Sequence, residues 1–268
     1  MSAFELPFMR TALYAGLLGG NALALLGAFI LLRGVSFSGL AVSQLAALGT
    51  VVGAVLGLHF GGWAAALACV ALGVGLHLLL GRARGPEDSW VACLYVVAAA
   101  AAILILAKAP NGESHTMSVF FGNVLALDRP EVLEAGGLLL AAVAVIVPWF
   151  HRWVWLSFDP LAATVAGIWV RRWAALFLFL FAAAMTVGIH LFGVLLSFAF
   201  LLMPAATALQ WSRRLLHLAV LTPLVASLGL TLGLVLAFYW DFPAGPFVAG
   251  FLGTMLLASG LARAALGD

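Results

Sequence analysis

Long apolar stretches, each close to the length that crosses a lipid bilayer, follow one another along nearly the whole chain. A helix needs about 20 apolar residues to span the hydrocarbon core. Charges, prolines and paired glycines divide this sequence into nine such stretches: residues 11–32, 39–59, 62–80, 89–108, 132–150, 173–189, 191–210, 216–239 and 245–265. The chain is 65% hydrophobic and 8% charged, which a water-exposed surface does not tolerate. The sequence therefore predicts an all-α, polytopic transmembrane helical bundle.

The number of spans is eight or nine, because two pairs of stretches are joined by very short links. "HFGG" (59–62) and "GIHLFG" (188–193) each fit either a tight hairpin or a broken helix. Short cytoplasmic loops retain lysine and arginine. In the nine-span division, the arginines at 33, 82, 84, 152, 171, 172, 213 and 214 fall on alternate loops, Arg263 lies at the end of the last span on the same side, and only Lys108 and Arg129 are assigned to the opposite loops. This pattern favours nine spans with the N-terminus outside the cell.

One transmembrane domain, residues 1–268, accounts for the whole sequence, and its most informative loop is 151–172. Asp159 and Pro160 suit the N-cap and first position of a short helix, and Gly167 can end it. With arginines at both ends of the loop, the helix fits two roles on the cytoplasmic face. It can lie flat at the membrane surface or dock into a partner protein.

Several classes of function are disfavoured by what the sequence lacks. The net charge of +2 is small and its basic residues are scattered, so no nucleic-acid partner is expected. No acidic or basic residue lies in the middle of a span, which argues against an ion-driven pump. Neither HExxH nor GxSxG occurs, so we predict no catalytic residues and no enzyme activity in this chain. Cys69 and Cys93 are interpreted as small core residues.

A few polar residues fall within the apolar stretches, and Gln44 is the most demanding of them. A buried amide needs hydrogen bonds, a wet path or a ligand. Interhelical hydrogen bonding is the plain interpretation for each residue of this group. His190, in the outer link "GIHLFG", is either a hydrogen-bonding residue at the interface or a ligand for an entering cation. The polar group comprises Asn21, Ser43, Gln44, Thr50, His77, Tyr95, Thr186, Ser197 and Gln210.

Four stretches together resemble the membrane subunit of binding-protein-dependent ABC importers for zinc and manganese. "FGVLLSFAFLLMPAATA" (192–208) is similar to the family's run that ends in Pro-Ala-Ala-Thr-Ala, and "YWDFPAGP" (239–246) to its Pro-Ala-Gly-Pro turn. "FFGNVLAL" (120–127) resembles its Phe-Gly-Asp/Asn segment, and "DPLAATVAG" (159–167) occupies the place of its coupling helix. With residues 36–49, the likeness runs in order through most of the chain.

The resemblance implies partners that are separate polypeptides in a bacterial inner membrane. It implies a homodimer of this multi-pass subunit in lipid, an extracytoplasmic solute-binding protein, and two cytoplasmic ATPase subunits that consume the ATP. No cofactor is expected on this chain. The ATPases would dock at residues 157–168, with Asp159, Pro160, Leu161, Ala163 and Gly167 as the coupling residues.

At the family's intramembrane metal site, this sequence departs from the pattern. An Asp and a His one helical turn apart are replaced by Leu40 and Gln44. Gln44, Ser43 and Ser197 are the expected lining of the translocation path, and His190 and Gln44 are the expected metal contacts. The predicted cargo is a divalent cation, with zinc favoured over manganese or iron. A metal chelate or another small solute is the alternative, and a scaffold without a path is the lesser one.

Overall fold

The computed structural model describes residues 6–32, 36–55, 71, 87–108, 120–122, 124, 127, 129–146, 148–149, 152–153, 160–167, 169–212 and 214–266. Within these residues every regular element is helical, which confirms the predicted fold class. The third predicted span (62–80, apart from residue 71), the "HFGG" link and Asp159 lie outside them. The helices are α1 (Pro7–Ala15), a π-helical turn (Gly16–Gly20), α2 (Asn21–Leu32), α3 (Ser36–Val55), α4 (Glu87–Lys108), α5 (Arg129–Ile146), α6 (Pro160–Val165), α7 (Val170–Trp211), α8 (Leu215–Tyr239) and α9 (Ala244–Ala265).

The long helices have the length and composition of membrane spans. Five described segments qualify outright: Pro7–Leu32, Val91–Lys108, Phe179–Trp211, Leu215–Tyr239 and Ala244–Ala265. Two shorter apolar segments, Gly39–Gly53 and Val132–Val145, lie within α3 and α5. All of them coincide with stretches predicted from the sequence. The apolar runs therefore form the transmembrane helices of a multi-pass membrane protein.

Helix α7 is two spans joined at a sharp break. Its 42 residues would be about 63 Å long if straight, twice the thickness of the hydrocarbon core. Gly193 has φ 75° and ψ 172°, outside the helical region. We call residues 170–192 the first arm of α7 and residues 194–211 its second arm. The sequence placed the turn around His190, but the first arm continues through His190 and ends at the glycine, whose left-handed backbone costs little without a Cβ.

Small residues bring the first span against the second arm of α7. A methyl group on Gly27 would collide with the Leu201 carbonyl, so these two backbones are in direct contact. Farther along the same interface, Gly19 and Gly20 face the rings of Phe192 and Phe200. Those rings pack edge to face with centroids 5.5 Å apart. Lipid-embedded helices associate by this kind of close backbone approach. The π-helical turn contains Gly19 and Gly20, whose missing side chains leave room for the two rings.

One polar contact fixes α2 against α8. The Asn21 amide donates to the Ser227 hydroxyl oxygen at 3.0 Å, and the Ser227 hydroxyl donates to the Asn21 carbonyl oxygen at 3.1 Å. The sequence identified Asn21 as a polar residue at depth with interhelical hydrogen bonding as the plain interpretation. The structure confirms that interpretation and supplies Ser227 as the partner.

Candidate translocation path and coupling segment

Gln44 lies in a stretch of helix that the bundle encloses on every side. Residues 41–47 of α3 are all buried, and a helix buried all round passes through the interior of a bundle. The Gln44 side chain is 5% exposed. Its Oε1 atom makes no hydrogen bond within the described part of the chain. The amide oxygen is therefore available to accept a hydrogen bond or to bind a cation.

Ser43 and Ser197 differ in how their hydroxyl groups are used. Ser43 is fully buried and donates to the Leu40 carbonyl oxygen at 2.7 Å, so its proton is committed to its own helix. Ser197, on the second arm of α7, is also fully buried. Its Oγ atom has no hydrogen-bond partner among the described residues. Of the three predicted path residues, Gln44 and Ser197 retain unused oxygen atoms. Helix α3 contacts α7, with Gly39 facing the Phe181 ring of the first arm, and Ser197 lies on the second arm.

A proline adds a backbone oxygen close to Ser197. Pro204 lies inside α7 and has no N–H to donate to the carbonyl four residues earlier. That carbonyl belongs to Phe200, one helical turn after Ser197. The candidate path thus offers two neutral side-chain oxygen atoms, an amide carbonyl and a hydroxyl, and α7 carries this freed backbone carbonyl one turn beyond the hydroxyl. Among the described residues, no group of three or more His, Cys, Asp or Glu is placed to hold a metal ion.

Three of the four stretches that carry the family resemblance meet at the end of the bundle where α7 turns back at Gly193. Gly122, with φ 73°, packs against the backbone of Phe192 and Gly193. The Cβ position of Gly245, at the start of α9, faces the Phe121 carbonyl oxygen. Each contact excludes even a methyl group. The loop at 120–122 therefore seals the turn between the two arms of α7 against α9.

His190 occupies the last turn of the first arm, three residues before the break. Its side chain is exposed, whereas its helical neighbours Ile189 and Leu191 are buried. It lies near the end of a span, close to the turn at Gly193, and it belongs to a helix and not to a loop. Gln44 lies within the enclosed part of α3. The two predicted metal contacts therefore differ in environment, since His190 is exposed and Gln44 is buried.

The short helix predicted in the cytoplasmic loop is present as α6. It spans Pro160–Val165, and the Gly167 N–H donates to the Thr164 carbonyl oxygen at 3.0 Å where the chain turns with φ 79°. Pro160 and Leu161 lie in its first turn. Ala163 is fully buried, which anchors the helix, whereas Val165 is 90% exposed. Val165 is therefore the aliphatic side chain of α6 that a docked partner would cover.

A comparison with protein families decides which family this arrangement belongs to. The model of the ABC 3 transport family matches residues 5–263. The chain belongs to this family. It is a permease, the membrane subunit of an ABC transporter, and not itself an enzyme. This permease is a multi-pass protein of the bacterial inner membrane, as predicted.

Individual relatives agree with the family assignment over most of their length. "Manganese transport system membrane protein MntC" of Halalkalibacterium halodurans is 26% identical over 242 residues, covering 89% of this chain and 81% of the relative. The "Probable iron transport system membrane protein" of Haemophilus influenzae is 27% identical over 250 residues, covering 91% and 90%. The solved structure of PsaBC from Streptococcus pneumoniae in complex with Fab has the same fold, with a TM-score of 0.86, 24% identity and coverage of 95% and 91%.

Two buried polar residues of the permease were missed by the sequence reasoning, Thr207, whose hydroxyl donates to the Met203 carbonyl oxygen at 2.8 Å, and Thr222. Thr222 on α8 is fully buried, and its Oγ1 atom has no hydrogen-bond partner within the described residues. The pair Thr222-Pro223 inside an apolar run was the available signal, since proline weakens the helix just where the threonine lies. Gln210 Oε1, near the cytoplasmic end of α7, is likewise unpartnered there, and it was among the polar residues identified.

Proposed function

We propose that this permease forms the translocation path of a binding-protein-dependent ABC importer for a divalent metal ion, with manganese as the favoured cargo. The observation that carries the proposal is the buried Gln44 amide oxygen, which has no hydrogen-bond donor among the described residues and lies in a helix enclosed by the bundle. Ser197, with a similarly unused oxygen, lies on a helix that packs against it. The names of relatives add weight, because they specify manganese or iron transport.

The chemistry of the available ligands favours manganese over zinc. Neutral carbonyl and hydroxyl oxygens, together with water, suit hard cations such as Mn²⁺, whereas zinc prefers imidazole and thiolate. Leu40 and Gln44 offer neither. Zinc, which the sequence resemblance favoured, is named by none of the relatives described above. Weak oxygen contacts also suit conduction, because an ion that binds too tightly does not leave the path.

The exposed His190 fits an entry contact at the outer end, ahead of the Gln44 region. Ser43 contributes to the wall of the path more than to ligation, since its hydroxyl is bonded to Leu40. An importer for a metal chelate is the second candidate. The replacement of the family's Asp and His by Leu40 and Gln44 favours it, because a chelated ion keeps its own ligands and needs few from the protein.

The proposed assembly follows the family. One transmembrane domain, residues 1–268, forms a homodimer, and a solute-binding protein delivers the cargo from outside. Cytoplasmic ATPase subunits dock on the loop at 151–172, reading Asp159, Pro160, Leu161, Ala163 and Gly167. The exposed Val165 between them supports this surface. ATP binding and hydrolysis then drive the change of access that this chain, without a charge at depth, does not drive itself.

The experiment is elemental mass spectrometry of cells that lack other high-affinity metal importers. The permease is expressed with its ATPase and binding protein, and manganese, iron and zinc are measured together. We expect manganese to rise, and the rise to vanish with an inactive ATPase. No response of any metal would refute the metal-ion proposal and leave the chelate as the candidate to test.

Substitution of Gln44 separates a transport role from a structural one. Gln44→Leu removes a buried unpartnered amide, so it leaves the stability of the purified permease unchanged or higher. We expect it to reduce manganese uptake nonetheless. The matched control is Leu45→Met, a volume-conserving change at the next buried position. Equal uptake by the Gln44→Leu variant and the wild type would show that this face of α3 does not line the path.

A further inference from the structure

An apolar cavity of about 210 Å³ lies where α2, α5 and α8 converge. Its walls include Phe29 and Leu32 near the end of α2, Val143 near the end of α5, and Leu215, Leu216 and Ala219 at the start of α8. Every lining residue is apolar. Leu216 is largely exposed, so the cavity is open to the outside of the bundle.

The surroundings of this cavity are lipid and not water. All three helices contribute their cytoplasmic ends, as the alternation of spans and the arginines require. At that depth the cavity opens toward the acyl chains of the inner leaflet. An apolar cavity stays dry and takes up apolar molecules. A hydrocarbon chain is therefore the natural occupant.

An acyl chain is thin and flexible enough to enter a cavity of this kind. Charge at the rim distinguishes a lipid from a helix of a second copy, because the phosphate of a headgroup pairs with an arginine and an apolar helix does not.

Arginines lie at the cytoplasmic rim of the same region. Arg214 is exposed and immediately precedes Leu215, which lines the cavity. The Arg152 guanidinium lies 4.9 Å from the ring centroid of Trp173 and 6.0 Å from that of Trp149. Stacking uses the flat face of a guanidinium and leaves its N–H edge free for an anion.

A chain of aromatic rings connects the Arg152 group to the wall of the cavity. Trp173 packs edge to face on Trp153 at 5.2 Å, and Trp153 contacts Phe177 at 5.6 Å. Phe177 in turn packs on Phe29, which lines the cavity, at 6.5 Å. Tryptophans in membrane proteins are enriched at the level of the headgroups. The rim therefore combines positive charge with the aromatic residues of the interface.

We propose that this cavity binds one acyl chain of an anionic phospholipid, whose phosphate is held by Arg214, while Arg152 adds positive charge at the same end of the bundle. Basic pockets between transmembrane helices on the cytoplasmic side are known to select such headgroups. The apolar walls supply the affinity for the chain, and the two arginines supply the preference for negative charge. The site does not depend on the transported cargo, so its test is separate from the test of the proposed function.

Native mass spectrometry of the full-length permease tests this site. The protein is purified in mild detergent, stripped of lipid, and titrated with phosphatidylglycerol or with zwitterionic phosphatidylethanolamine. We expect one tightly retained phosphatidylglycerol. Because each arginine near the surface is worth about a fivefold change in affinity for anionic lipid, Arg214→Gln should lower the preference about fivefold while a lipid is still bound.

A second variant tests the chain-binding half. Ala219→Phe fills the cavity and should abolish tight retention of either lipid. Leu232→Phe is the matched control, an exposed position on the same helix away from the cavity. Equal retention in the wild type and the Ala219→Phe variant would overturn the proposal. Dimers that cross-link through Ala219→Cys would also overturn it, because a second copy would then cover the cavity.

Discussion

Gly188 and Ser197 are nine residues apart on α7, yet a Cβ atom on Gly188 would lie 3.2 Å from the Ser197 hydroxyl oxygen. In a continuous helix the two positions would be separated by about 13 Å along the axis. The chain therefore folds back at Gly193, and the two arms of α7 pack directly on each other. This hairpin places the unpartnered Ser197 hydroxyl in the interior of the bundle.

A disulfide between these two positions is the first prediction. With Gly188→Cys and Ser197→Cys in a background of Cys69→Ser and Cys93→Ser, we expect a cross-link after mild oxidation in membranes. A disulfide requires two Cβ atoms about 3.5–4.5 Å apart. The hairpin brings positions 188 and 197 close enough for this, whereas a continuous helix would hold them too far apart. Mass spectrometry of the linked peptides is the measurement.

The control pair for this cross-link has the same spacing in an unbroken helix. Leu228→Cys and Ala237→Cys lie nine residues apart on α8, beyond its proline at 223. They should remain unlinked under the same oxidation. A cross-link in the α8 pair together with none in the α7 pair would contradict the hairpin.

Most of the fold could be predicted from the sequence because the position of a membrane span depends on a few physical requirements. Apolar length and the alternation of arginines predicted the positions of the spans that the structure describes, since lipid admits only segments that satisfy their own backbone hydrogen bonds. The exact turn in "GIHLFG" did not follow. That link contains two glycines, 188 and 193, and only the contact with Gly122 from a distant loop decides which of them leaves the helix.

The candidate site was predicted less completely than the fold. Gln44 and Ser197 were identified because a polar group in an apolar run stands out. Whether each would be satisfied by a neighbour depends on packing between helices, which one sequence does not reveal. Asn21 is hydrogen-bonded to Ser227, whereas the Gln44 amide oxygen has no hydrogen-bond partner in the described part of the chain. The cavity at the end of α2 had no sequence signal, because its lining is ordinary apolar helix.

The close backbone packing between Gly122 and Gly193 predicts a strong intolerance to substitution at these two glycines. Gly193→Ala and Gly122→Ala each place a Cβ in a left-handed backbone, at about 1–2 kcal/mol, and against another backbone. We expect a clear fall in the Tm of the purified permease for either variant. Gly250→Ala is the control, because its Cβ would meet nothing within 4 Å and alanine favours a helix. A Tm unchanged in all three would mean that the loop at 120–122 does not seal this turn.

The reciprocal hydrogen bonds between Asn21 and Ser227 predict a measurable coupling energy. Interhelical hydrogen bonds in a membrane are worth about 0.6 kcal/mol on average and up to about 1.7. We expect a double-mutant cycle with Asn21→Ala and Ser227→Ala to give a coupling near the upper value, because two bonds are lost together. Reversible unfolding in mixed micelles provides the free energies. Strictly additive effects of the two substitutions would show that the pair does not join α2 to α8.

The exposed side chain of α6 predicts how the permease engages its ATPase. Val165→Glu puts a carboxylate where docking would bury an aliphatic group, and an unpaired buried charge is costly. We expect metal uptake and co-purification of the ATPase to fall together, with the Tm of the permease unchanged because Val165 makes no part of its core. Val165→Thr, of nearly the same shape, should retain most of both. Gly167 ends this helix with positive φ, so a substitution there would strain the backbone as well as alter the docking surface. A substitution of Val165 changes the docking surface alone. Normal co-purification with Val165→Glu would place the ATPase contact elsewhere on the cytoplasmic face.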